Sequence, residues 1–97
     1  MRLLFIRFSS IGDIVFTTPA IRAAKQQLPG VEIHFLTKSS MKAVTEANPY
    51  IDKFHYLDKD LSKTIAALKE ANFDYVIDLH KNFRTHKIKR ALGVPAL

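Results

Sequence analysis

Four short apolar runs, each followed by a polar turn and a stretch with helical spacing, predict an α/β fold in which βα repeats build one parallel sheet with helices on its faces. The connections between the runs are short and carry the Gly, Pro, Asn and Asp residues that punctuate regular structure. At 97 residues, with 47% hydrophobic and 25% charged side chains, the chain has the composition of one ordinary globular domain over 1–97.

Each element has its own local reason. Leu3 to Phe8 is the first apolar run, and after Ser9-Ser10-Ile11-Gly12-Asp13 comes a helical pattern in which Ile21, Ala24 and Leu28 share a face. Pro19 either kinks this helix or opens its main part with Thr18 as N-cap, and Pro29-Gly30 ends it. Val31 to Thr37 is the second strand. Ser39 or Ser40 caps a short helix through Ala47, which Asn48-Pro49 breaks. Lys53 to Leu57 alternates as a short third strand, and Asp58 or Asp60 caps a helix lined by Leu61, Ile65 and Leu68. Tyr75 to Leu79 is the fourth strand, and Thr85 to Leu92 the last helix, closed by Gly93 with Pro95 beyond. Repeats of this kind make a Rossmann-like half. The chain stops at a Val-Pro that ordinarily leads onward, so more protein is expected to follow.

Composition narrows the function classes. No cysteine is present, so neither a disulfide framework nor a thiolate metal site exists, nothing requires an oxidising compartment, and a cytoplasmic location is expected. The apolar start is broken by Arg7 after a few residues, which fits a buried strand and neither a signal peptide nor a membrane span. The net charge of +6 is uneven: residues 1–78 hold ten Lys or Arg against nine Asp or Glu, whereas residues 79–97 hold Lys81, Arg84, Lys87, Lys89 and Arg90 and no acid. Such a local excess fits an anionic partner, and equally a solvated helix face.

In open parallel sheets ligands bind at the carboxyl ends of the strands. Of the four loops expected there, the first and last carry the most unusual chemistry. Ser9, Ser10, Gly12 and Asp13 set two hydroxyls, a glycine and a carboxylate at a helix start, where free backbone N–H groups favour acceptors and Gly12 permits close approach. The loop has neither the dinucleotide fingerprint nor the phosphate-loop pattern. Asp13 has two readings of equal weight: the N3 member of a Ser10-x-x-Asp13 capping box, or an ionised base for a substrate hydroxyl. The last loop offers His80, Lys81, Asn82 and Arg84, of which Arg84 can grip a carboxylate or phosphate with two N–H groups. Its plain structural reading is a hydrophilic connection with Phe83 tucked into the core. Asp78 reads as a helix cap or loop organiser. His34 and His55 have no further ligand at metal spacing, so no metal site is expected.

Taken in order, Arg7 through Asp13 with Thr17-Thr18-Pro19-Ala20, then Asn48-Pro49-Tyr50-Ile51-Asp52, then Asp74 through His80 and on to Arg84, resemble the amino-terminal domain of glycosyltransferase family 9. That family contains the ADP-heptose:lipopolysaccharide heptosyltransferases. The resemblance implies the N-terminal, acceptor-side half of a two-domain GT-B enzyme whose carboxyl-terminal, donor-binding domain is absent from this chain. It implies no cofactor, a nucleotide-sugar donor such as ADP-heptose, and an anionic inner-core glycolipid acceptor met at the cytoplasmic face of the inner membrane. By the same resemblance Asp13 is the general base of an inverting transfer, Ser10 and Gly12 match the family's Ser-x-Gly-Asp loop, and Lys81 and Arg84 lie on the acceptor side. The isolated chain is expected to be inactive. Many relatives have Gly after the strand-end Gln or His, where this chain has Lys81.

Three other readings compete. One is a transferase for another nucleotide sugar. A receiver-like or flavodoxin-like regulatory domain needs an acidic rim, which Asp13 and Asp78 beside Lys81 and Arg84 match poorly. Nucleic-acid binding by the last helix is not expected, because Ile88, Ala91 and Leu92 commit much of that helix to the core.

Overall fold

The computed structural model describes residues 1–97. Its strands are β1 (Arg2–Ile6), β2 (Glu32–Thr37), β3 (Lys53–Tyr56) and β4 (Tyr75–Asp78), all parallel and ordered β3-β2-β1-β4. The helices are α1 (Ile11–Phe16), α2 (Thr18–Gln27), α3 (Lys42–Glu46), α4 (Leu61–Glu70) and α5 (Phe83–Leu92). The predicted α/β Rossmann-like sheet is what forms, and its strand order sets the β1 loop directly beside the β4 loop.

Alternation along the central strands divides the core into two layers. Leu3, Phe5, Ile33 and Phe35 face Ile14 of α1 and Ile21 of α2, while Leu4, Ile6 and Leu36 face Leu68 of α4 and Ile88 of α5. β1 is thus apolar on both faces, as suits an interior parallel strand, while β2 carries buried His34 beside Leu36 on its second face. The chain end runs beside β4, with Val76 N donating to Pro95 O at 2.9 Å and Leu97 N to Val76 O at 2.8 Å.

Several expected boundaries move. The first helix is two helices, because Pro19 cannot donate the hydrogen bond that Val15 O would accept and its ring crowds that carbonyl. The break falls at Thr17, which replaces Thr18 as the N-cap and donates its hydroxyl to Ile14 O at 2.6 Å. Neither Ser39 nor Ser40 caps α3; both lie in a 3-10 turn, Ser39–Met41, that feeds the helix. Asp60 caps α4, accepting from Ser62 N at 3.0 Å, while Asp58 accepts from Asp60 N at 2.9 Å. α5 starts two residues earlier than Thr85, with Asn82 as cap, and Gly93 closes it in the left-handed region at φ 65°. Phe83 is 72% exposed and not tucked in. Thr85 and Ile88 hold the inward side of α5, so Phe83 falls on the outward side, where Lys87 Nζ lies 4.7 Å from its ring centre.

Candidate functional site

Because β1 and β4 are neighbours, the loops after them are laced together. Leu79 N donates to Ile6 O at 3.0 Å, and Phe8 N meets His80 Nδ1 at 3.4 Å. Arg7 leaves the end of β1 and reaches both sides, donating from one terminal nitrogen to Leu79 O at 2.9 Å and from the other to Asp13 Oδ2 at 2.7 Å. Phe8 is fully buried beneath this rim, with the His80 ring centre 4.8 Å and the Arg84 guanidinium carbon 5.0 Å from its own centre.

Asp13 sits in the first turn of α1, and its Oδ2 takes every contact the protein offers. The Ser10 amide lies 3.3 Å away, the Ser10 hydroxyl 2.9 Å and the Arg7 guanidinium 2.7 Å. Oδ1 has no protein partner and the side chain is 49% exposed. The Ser10 hydroxyl first, then its amide and Arg7, hold the carboxyl below the ordinary aspartate range and outweigh slight desolvation. The capping contact and the open oxygen therefore coexist, one on each oxygen. A cleft of about 230 Å³, lined by Arg7, Asp13, Phe16, Thr17, Ala20 and Leu79, opens in front of it.

On the β4 side, Asp78 is the organiser the sequence predicts. It is 2% exposed and its Oδ1 accepts from His80 N at 2.9 Å and Lys81 N at 2.8 Å, while Oδ2 faces Lys89 Nζ at 3.0 Å. Burial pushes its carboxyl up, but these donors with Thr85 outweigh burial and leave it lowered. Pinned this way, Lys81 adopts φ 54°, a left-handed conformation that glycine enters most easily. His80 is half-buried, and desolvation with the nearby charges of Arg7, Arg84 and Lys38 lowers its pKa against the opposing pull of Asp78. With Nδ1 accepting from Phe8, the ring proton belongs on Nε2.

The remaining sequence candidates divide by what already occupies them. Asn82 Oδ1 accepts from Thr85 N at 2.9 Å, so its oxygen is spent on α5 while its amide nitrogen stays free. Gly12 is not required by the fold, since a Cβ built there meets nothing within 4 Å; the openness is toward solvent beside Asp13. Ser9 makes no side-chain hydrogen bond, and Arg84 is exposed apart from its stacking on Phe8. Asp13, Ser10, His80 and Arg84 thus gather on two adjoining loops, and Lys89 is withdrawn from the basic surface by Asp78.

Two features escape the sequence reading. Arg7 is the clamp of the site; an arginine ending an apolar strand six residues before an aspartate was its only local signal. His34 and His55 meet across β2 and β3, Nδ1 to Nε2 at 2.8 Å, with His34 Nε2 2.6 Å from Glu32. No group of three or more His, Asp or Glu side chains is placed to hold a metal ion, and no helix is long and apolar enough to cross a membrane.

No family model matches the chain. Lipopolysaccharide heptosyltransferase 1 of Campylobacter coli is 28% identical over 96% of this chain and 29% of its own length. A glycosyl transferase family 9 structure from Veillonella parvula superposes with TM-score 0.82 at 24% identity, over 97% of this chain and 30% of that one. The E. coli heptosyltransferase WaaC, solved with ADP, aligns at 27% identity and TM-score 0.64 over 80% of this chain and 27% of its own. The chain therefore spans about three-tenths of the length of the relatives it matches. The resemblance to glycosyltransferase family 9 read from the sequence is borne out in both sequence and fold.

Proposed function

We propose that this chain is the acceptor-side, N-terminal half of a glycosyltransferase that moves heptose from ADP-heptose to the inner core of lipopolysaccharide with inversion. The observation that carries the reading is Asp13, whose Oδ2 is held by three donors while Oδ1 has no protein partner, in a residue that lines a cleft. Oδ1 takes the proton of an acceptor hydroxyl, and that oxygen's electron pair forms the new glycosidic bond. The bond from the anomeric carbon to the diphosphate breaks, and its pair leaves with the nucleoside diphosphate. Its lowered pKa keeps the carboxylate ionised, as a proton acceptor must be.

His80 Nε2–H, Lys81, Arg84 and the free amide nitrogen of Asn82 supply donors and positive charge for an acceptor bearing carboxylates and phosphates. Ser9, Ser10 and Gly12 shape the sugar pocket. The donor nucleotide needs a second domain supplied outside these residues, so the chain alone is inactive. Its acceptor is a glycolipid at the cytoplasmic face of the inner membrane, which the protein meets peripherally. The C. coli relative's name and the ADP bound to WaaC support the sugar and the nucleotide.

The test is transfer of labelled sugar from ADP-heptose to a truncated lipopolysaccharide by a polypeptide in which this chain is joined to a donor-binding domain. Asp13→Asn is expected to slow transfer by about 10²- to 10⁴-fold, the usual contribution of a general base, with ADP binding retained. Near-normal transfer makes Asp13 only a helix cap. Transfer from a different nucleotide sugar alone replaces the heptose donor and keeps the base.

A further inference from the structure

We propose that Arg7 is a positioning residue for Asp13: its guanidinium locks Oδ2 against the β4 loop and so leaves Oδ1 as the one oxygen able to take a proton. The inference rests on Asp13 acting as the base, and deepens that reading.

Three observations carry it. Arg7 is two-pronged, with one terminal nitrogen on Leu79 O at 2.9 Å and the other on Asp13 Oδ2 at 2.7 Å, so the carboxylate is fixed relative to β4 as well as to its own helix. A lysine, with one nitrogen on a flexible stem, has no fixed fork to set both directions at once. Arg7 Nε is buried without a hydrogen-bond partner. The guanidinium's contacts with Leu79 and Asp13 are therefore made by its two terminal nitrogens alone. Finally, all protein donors to Asp13 converge on Oδ2 and none on Oδ1. Ser10 lies in the same turn as Asp13 and moves with it, so only Arg7 ties the carboxylate to a second strand of the sheet.

The clamp has a chemical consequence with two sides. A cation against Oδ2 favours the charged form and weakens the base, while a fixed rotamer keeps Oδ1 at hydrogen-bond reach of a bound hydroxyl. Removing Arg7 should therefore strengthen the base and loosen its aim. A purely structural staple would alter Leu79 and His80 and leave the carboxyl of Asp13 as it was.

The experiment follows the Asp13 side-chain carboxyl carbon by NMR through a pH titration of this chain, in the native protein, Arg7→Gln and Arg7→Lys. Couplings from that carbon to the backbone report its rotamer. The native carboxyl is expected to titrate below the ordinary aspartate range in a single rotamer. Arg7→Gln should raise its midpoint and average its rotamer, and Arg7→Lys should keep the midpoint lower than Gln does while averaging the rotamer. Should the glutamine protein lose its dispersed amide spectrum, Arg7→Met, which keeps the aliphatic stem, takes its place. A folded variant whose midpoint and rotamer both match the native protein overturns the inference. Because no substrate is involved, this outcome is separate from failure of the transferase reading, which the sugar-transfer assay alone decides.

Discussion

Asp13, in the first turn of α1, and Asp78, the last residue of β4, both stand at the carboxyl rim of the sheet with backbone N–H and a cation as partners, yet they are held differently. Asp78 is 2% exposed, with two amides on Oδ1 and Lys89 at 3.0 Å from Oδ2. Asp13 is half-exposed, with every donor on one oxygen. A buried carboxylate with two loop amides on one oxygen and a cation facing the other fixes a loop. An exposed carboxylate with one oxygen spare can keep its place through the first and react through the second. Burial and access, more than the mere presence of an acid at the rim, separate a loop organiser from a candidate base.

The largest effect expected from that difference is on stability. Asp78→Ala removes the acceptor of two loop amides and strands Lys89, which should cost about 2–4 kcal/mol. Urea denaturation measures it, and the β4 loop amides should show faster hydrogen exchange before global unfolding. A loss as small as that of an ordinary surface substitution would erase the distinction between the two aspartates.

Acid unfolding sharpens the comparison once the histidines are separated from the carboxylates. Burial first, then the charges of His34 and Lys53, depress His55 from 6.5 to about 4. A depressed histidine contributes stability that is present above 6.5 and is lost as pH falls from there through about 4. For a ring still partly exposed to solvent this loss is about 1–2 kcal/mol after screening. His55→Gln keeps a donor for His34 Nδ1 without titrating, and should flatten the stability curve over that window. What remains below it is the carboxylate contribution, present above the ordinary aspartate pKa and lost as pH falls through the lowered folded values, and Asp78→Ala should remove more of it than Asp13→Asn. A His55→Gln curve as steep as the native one between pH 6.5 and 4 would mean the imidazole is not the acid-sensitive group.

The same physics marks how far the sequence could be read. Strands and helices were legible because their runs are strongly patterned and ended by Pro29-Gly30, Asn48-Pro49 and Gly93, each of which acts within a few residues. The two loops that carry the site were legible for the same reason. What joins them was not. Arg7 finds Leu79 only because β4 lies beside β1, and His34 finds His55 only through the β2–β3 register, facts set by packing across the sheet. Phe83 was misplaced because its facing depends on where α5 starts, and a start two residues earlier turns it outward. Sequence spacing locates groups along one element, and the contacts that tune a site mostly cross between elements.

Asn82 stands between the two aspartates, since its oxygen caps α5 and its nitrogen is free. Asn82→Ala should cost about 1 kcal/mol, the usual value for losing a cap, measured by the same denaturation. Asp13→Asn should shift the midpoint less than that, because an asparagine oxygen still accepts from the Ser10 amide and Arg7, at 23% exposed, keeps its Leu79 contact and some access to water. The ranking by stability, Asp78 above Asn82 above Asp13, is then the reverse of the ranking expected for sugar transfer. If Asp13→Asn destabilises the chain more than Asn82→Ala does, the capping contact is the main role of Asp13, and the open oxygen is a by-product of the turn that holds it.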